Sequence, residues 1–105
     1  MEKEIIDEVL EFRNERDWEK FHTPENLAKS LSIESAELLE CFQWTSDYDK
    51  QEASEELADI LIYAILMAEA MEVDINQIIM EKLTKNGKKY PVEKSKGNST
   101  KYNKF

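Results

Sequence analysis

The sequence predicts an all-α protein: a four-helix bundle followed by a basic, weakly structured C-terminal tail. Three observations carry this expectation. Only two glycines and two prolines occur in 105 residues, so long elements run uninterrupted. Apolar residues recur at three- and four-residue spacing through most of the chain. Helix-start residues (Thr23 with Pro24, and Asp74) and a helix-stop residue (Gly87) punctuate that pattern.

The first helix is expected over residues 2–15, with Ile5, Ile6, Val9, Leu10 and Phe12 making its apolar face. Residues 16–22 read as a loop that carries Trp18 and Phe21. Thr23 as N-cap and Pro24 at the first helical position open a second helix, expected to reach Trp44, with Glu25 and Lys29 paired on its outer face. Residues 45–49 form a connection rich in capping residues. The third helix spans residues 50–71. Between Ala58 and Met71 only Asp59 and Glu69 are charged, so burial on most sides is expected. Asp74 caps a fourth helix, with Gln77 completing an approximate capping box, Val73 and Ile78 as the staple, and Gly87 as the stop after Asn86. The pattern gives one helical domain over 1–90 and a tail over 91–105, with no internal repeat.

Charge divides the chain. The net charge is −9, but residues 1–81 carry −16 and residues 82–105 carry +7. So acidic a body excludes non-specific binding to a nucleic-acid duplex. The tail lysines either solvate a loose terminus or fold back toward an acidic site, where they can neutralise phosphates. Cys41 is the only cysteine, which leaves no disulfide framework within the chain. With no histidine near it in sequence, it reads as a small core residue. No apolar signal region opens the chain. The longest uncharged apolar stretch, residues 60–68, is roughly half of a membrane span, so no membrane partner and a reducing cytoplasm are expected. The first and third helices present more apolar surface than one bundle of this size covers, which points to a homo-oligomer, dimer or tetramer.

Two acid pairs stand out. Glu34 and Glu37 are three apart, as are Glu56 and Asp59, so each pair shares a helix face. Glu34 also interrupts the apolar stripe Leu27, Leu31, Leu38, Phe42, and Asp59 opens the most apolar helix. A carboxylate aimed at a core needs a positive partner. Oxygen-only donors select hard ions, Mg2+ with Mn2+ as a substitute, and one histidine with one distant cysteine disfavours zinc. The di-iron bundles need Glu-x-x-His pairs, which are absent here. His22, beside a helix start, reads as a loop or capping residue. Trp18, Phe21, Trp44 and Tyr63 flank the acidic segments. Aromatics of this kind are core or rim residues in most helical proteins and can also stack a flat heterocycle. Carboxylates, metal, aromatics and lysines together suggest a nucleotide.

The spacing Glu34-x-x-Glu37, then Glu56-x-x-Asp59, resembles the MazG-like all-α nucleoside triphosphate pyrophosphohydrolases. Residues 12–21 (FRNERDWEKF), 37–44 (ELLECFQW), 55–63 (EELADILIY) and 89–92 (KYPV), and the ending with Lys96-Gly97 and Lys101-Tyr102, look like the dCTP pyrophosphatase branch. Ile33 stands where many members carry another glutamate. The resemblance implies the bundle of that family and hydrolysis between the α and β phosphates of a nucleoside triphosphate. It implies magnesium on Glu34, Glu37, Glu56 and Asp59, and a base pocket lined by Trp18 and Trp44. Tyr63, Lys82, Asn86, Tyr90, Lys96 and Tyr102 would contact sugar or phosphates. Glu37 or a neighbouring carboxylate such as Glu34 would take the proton of the attacking water. The competing reading is a non-catalytic helical module whose acids hold a metal or a basic partner.

Overall fold

The computed structural model describes residues 1–97 and residue 99. Among these the structure is all-helical: α1 (Lys3–Glu15), a 3-10 turn (Glu19–Phe21), α2 (Pro24–Glu40), α3 (Lys50–Ala70), α4 (Ile75–Lys89) and the short α5 (Val92–Ser95). The four long helices are the four that the sequence predicts, and α5 adds one turn within the expected tail. No helix among the described residues is long and apolar enough to cross a membrane.

Two compact units follow one another along the chain, residues 1–73 and residues 74–105. In the first, α3 packs chiefly on α2 and more lightly on α1. Its core is small: Leu27 at 1% exposure, with Ala53, Ile65, Leu66 and Ala68. Burying these side chains is the main favourable term at the α2–α3 seam. The expectation that α3 is buried on most sides is not met in this chain: Leu57, Leu61 and Ile62 stay exposed. The neighbouring helices α1 and α2 cover too little of its circumference.

Capping residues fix where the helices begin. Thr23 Oγ1 accepts from the Asn26 N–H at 3.2 Å, with Pro24 at the first position. Asp49 Oδ1 accepts from Gln51 and Glu52 at 2.9 and 3.1 Å, and Asp74 Oδ1 accepts from Gln77 at 2.9 Å. The reciprocal half of the capping box does not form, because the Gln77 side chain donates forward to Glu81 at 2.9 Å. The Glu25–Lys29 pair forms at 3.5 Å.

Two helix ends differ from the sequence expectation. α2 stops at Glu40, short of Trp44. Its last carbonyls are taken by tight turns, with the N–H groups of Cys41, Phe42 and Gln43 donating to Leu38, Leu39 and Glu40. Phe42 then packs on Tyr48, ring centroids 4.6 Å apart, which closes the connection to α3. α4 runs through Gly87 to Lys89. The stop comes from Tyr90-Pro91 instead, since the residue before proline is pushed out of helical geometry.

Gly87 therefore sits exposed inside a helix, and a Cβ built there meets nothing within 4 Å. Gly87→Ala is expected to stabilise α4 by roughly 0.5–1 kcal/mol, by lowering unfolded-state entropy. Urea unfolding followed by helical circular dichroism checks it, and a destabilised variant would contradict a helical Gly87.

Candidate functional site

The predicted acid pairs meet across the α2–α3 seam. Glu34 on α2 and Glu56 and Asp59 on α3 each bring a carboxylate oxygen within 4.8 Å of the others. One oxygen of Glu34 and one of Glu56 (both Oε2) are buried without a hydrogen-bond partner. Leaving such atoms unpaired is costly, so the arrangement is incomplete as a purely protein structure. Glu37, exposed one turn along α2, bears on both electrostatically. Burial is the main cause that pushes Glu34 up to about 7, with hydrogen bonding and repulsion from Glu37 and repulsion from Asp59 adding to it. Burial and then Glu37 likewise raise Glu56. Three clustered carboxylates, two of them with an orphaned oxygen, fit a divalent, oxygen-seeking cation. Glu34, Glu56 and Asp59 would hold it, with Glu37 beside them.

A cavity of about 520 Å³ opens next to this cluster, in the same unit. Its walls come from α1, the corner after α1, and α3, and Asp59 belongs both to its lining and to the acid cluster. Trp18 forms an aromatic wall, edge-on to Phe12 at 5.8 Å and to His22 at 6.5 Å, and Tyr63 lies on the α3 side. The corner that places Trp18 is a backbone device. The Arg13 carbonyl accepts from the N–H groups of both Arg16 and Trp18, and Asp17 takes a positive φ of 54° between them. The Arg16 guanidinium covers the outer face of Phe12 at 3.6 Å.

Glu8, Glu11, Arg13, Glu15 and His22 line the cavity without having been candidates on sequence, and Arg13 and His22 are the two with buried polar groups. Arg13 is 7% exposed, and His22 has a buried Nδ1 with no hydrogen-bond partner. The signal for Arg13 was present: it continues the stripe Ile6, Val9, Leu10, as Glu34 interrupts its own. His22 gave none, because a histidine beside a helix start resembles any loop residue.

The remaining predicted residues are not among those that line the cavity. Trp44 does not line the cavity; it lies beyond the end of α2 at 88% exposure. Lys82 and Asn86 share one face of α4 at four-residue spacing, in the second unit, Tyr90 follows the helix as its C-cap, and Lys96 is exposed after α5. Tyr102 lies outside the described residues.

The raised Glu34 sets a pH dependence. Its unfolded value is 4.5 and its folded value about 7, so the folded state keeps a proton that the unfolded state releases. That contribution to stability is fully present below 4.5 and is lost as pH rises to about 7. With chelator present, the protein is expected to melt at a lower temperature at about pH 8 than at about pH 5. Glu34→Gln should shrink that difference, and magnesium should restore stability at the higher pH by binding only the folded state. Melting curves with and without the ion check both; a Glu34→Gln slope equal to wild type would remove Glu34 from the cluster.

Comparison with known proteins gives the family of the chain. Residues 29–105 match the MazG-like family. The chain is 43% identical to mouse dCTP pyrophosphatase 1 and 37% identical to the human protein of that name, each match covering 88% of this chain and 60% of the relative. It thus spans about 60% of the length of these curated relatives. A crystal structure of a pyrophosphatase from Archaeoglobus fulgidus is similar, with TM-score 0.77 and 45% identity over 85% of this chain and 91% of that one. The match over residues 29–105, with relatives 37–43% identical across 88% of the chain, makes this protein a member of the MazG-like family.

Proposed function

We propose that the protein is a nucleoside triphosphate pyrophosphohydrolase that cleaves between the α and β phosphates and releases a monophosphate and pyrophosphate. The single observation that carries this reading is the cluster of Glu34, Glu56 and Asp59 with its two orphaned carboxylate oxygens, opening onto an aromatic-walled cavity. The names of the relatives, dCTP pyrophosphatase and pyrophosphatase, support a dCTP-like substrate.

In this reading the cluster takes Mg2+, with Mn2+ able to replace it. Bound there, the ion would neutralise phosphate charge and lower the pKa of a coordinated water. The chain does the rest. Glu34, Glu56 and Asp59 fix the position of the triphosphate relative to the cavity. Glu37, or Glu34 next to it, accepts the proton of the attacking water, since both lie on the face of α2 that meets the cluster. Trp18 and Tyr63 supply the faces against which a base and sugar rest. Lys82, Asn86, Tyr90, Lys96 and Tyr102 are proposed to reach the sugar or phosphates, and the lysines to stabilise the leaving pyrophosphate.

The test is a panel of ribo- and deoxynucleoside triphosphates with magnesium, read for pyrophosphate and monophosphate. Glu34→Gln and Asp59→Asn should each lower turnover by roughly a hundredfold or more with helical content unchanged. Full activity in either variant would remove it from the site. Orthophosphate as the only product would contradict α–β cleavage. No product, with magnesium still raising the melting temperature, would leave a non-catalytic metal-binding module.

We also propose a homo-oligomer, dimer or tetramer. Leu39, Trp44, Leu83, Met80 and Val92 are all more than half exposed, an apolar load unusual for a free surface. A base-stacking role for Trp44 would then be supplied across a subunit interface. Light scattering at micromolar concentration should give a multiple of 12.4 kDa; a monomer mass would overturn the oligomer.

A further inference from the structure

Arg13 is the only charged residue among the described residues that is classed with the buried core, and the fold gives it little to do there. Its Nε donates to Asn14 Oδ1 at 2.9 Å. Its Nη2 lies 3.8 Å from Glu19 Oε2, too far for a hydrogen bond, and the Glu19 side chain is 73% exposed. So loose a pair to a solvated partner offsets little of the cost of burying a guanidinium. Arginine offers five N–H donors, and most of these are unspent. The side chain lines the cavity, and so does His22. The His22 Nδ1 is buried and unpartnered. Burial first, and then the Arg13 charge, lower the pKa of His22, which favours the neutral ring. A neutral imidazole has one donor and one acceptor nitrogen.

We propose that Arg13, assisted by His22, reads the hydrogen-bonding edge of the substrate's base, and that it selects a base with a carbonyl oxygen beside an unprotonated ring nitrogen, as in cytosine. This rests on the nucleotide reading of the cavity given above. A guanidinium presents two parallel N–H groups, and adjacent acceptors meet both. Uracil and thymine place an N–H where cytosine has a lone pair, so a donor would face a donor, and the buried arginine would stay unsatisfied. Guanine also carries two adjacent acceptors on one edge. That edge lacks the exocyclic amine that an acceptor nitrogen of His22 can take from cytosine. Trp18 and Tyr63 hold the ring faces; Glu8, Glu11, Glu15 and Asp59 also line the cavity, but carboxylates accept and so cannot serve the base's carbonyl and ring nitrogen as Arg13 does.

The experiment measures kcat/KM for dCTP, dUTP and dGTP with magnesium, on wild type and on Arg13→Gln, Arg13→Lys and His22→Phe. The wild type should prefer dCTP. Both Arg13 variants should lower the dCTP-to-dUTP ratio by about tenfold or more, since neither can make the paired donation. The loss should appear mainly in dCTP, while dUTP changes little. His22→Phe should lower the dCTP-to-dGTP ratio. A purely structural Arg13 would scale all three substrates alike, and that result overturns the proposal. If Arg13→Gln does not fold, Arg13→Lys, which keeps the charge, decides on the same criterion. A wild type that turns over triphosphates without favouring dCTP overturns the base selection alone. A wild type that releases pyrophosphate from none of them overturns the reading of the site and this inference with it.

Discussion

Mutual repulsion among carboxylates is the constraint on which the first unit turns. The two helices that carry the buried Leu27 and Ala53 also press Glu34 toward Glu56 and Asp59. The apolar contact and the ionic conflict cannot be separated, because they occupy neighbouring positions of the same seam. The fold tolerates the conflict by holding protons that free carboxylates would release, or by taking up a cation. Either way the seam is an unfinished electrostatic object, and the chemistry proposed for it consists in finishing it.

The rest of the unit is organised around that seam with modest means. The hydrophobic core is five residues, three of them on the second half of α3. Helix boundaries depend on side-chain caps at Thr23 and Asp49 more than on deep burial. The corner after α1 is tied by one carbonyl that accepts two N–H groups, and this sets Trp18 as a wall of the cavity. Aromatic residues left in the open, Trp44 above all, are what a chain of this size has when its packing is shared with other copies, as proposed here.

Much of this was legible in the sequence. The acid pairs could be read because helical spacing puts them on one face and because Glu34 and Asp59 sit in apolar surroundings. Thr23-Pro24 and Asp74 marked the starts of two helices through chemistry local to each cap, and the cap-rich connection over 45–49 announced a third without singling out Asp49. The ends were harder. α2 closes in tight turns with no glycine or proline to mark them, and the apolar Phe42 and Trp44 continue the period past the true end. Gly87 resembled a stop but takes an ordinary helical conformation, and Pro91 ends α4. Arg13 was passed over because arginine is read as a surface residue, although its place in the stripe of Ile6, Val9 and Leu10 is the same kind of interruption that exposed Glu34. His22 read only as a loop or capping residue, since most of the residues that share the cavity with it lie on α1 and α3, away from it in sequence.

Asp59 stands in both the acid cluster and the cavity wall, and this has a thermodynamic consequence. A carboxylate shared by two sites makes their occupancies interdependent. Any ion that draws Asp59 toward the cluster alters the wall that a guest molecule meets, and the guest in turn alters the field that the ion meets. The two effects on affinity must be equal in size, because free energy around a closed cycle sums to zero. With the cation and nucleotide proposed above, one aspartate would make the two ligands mutual effectors.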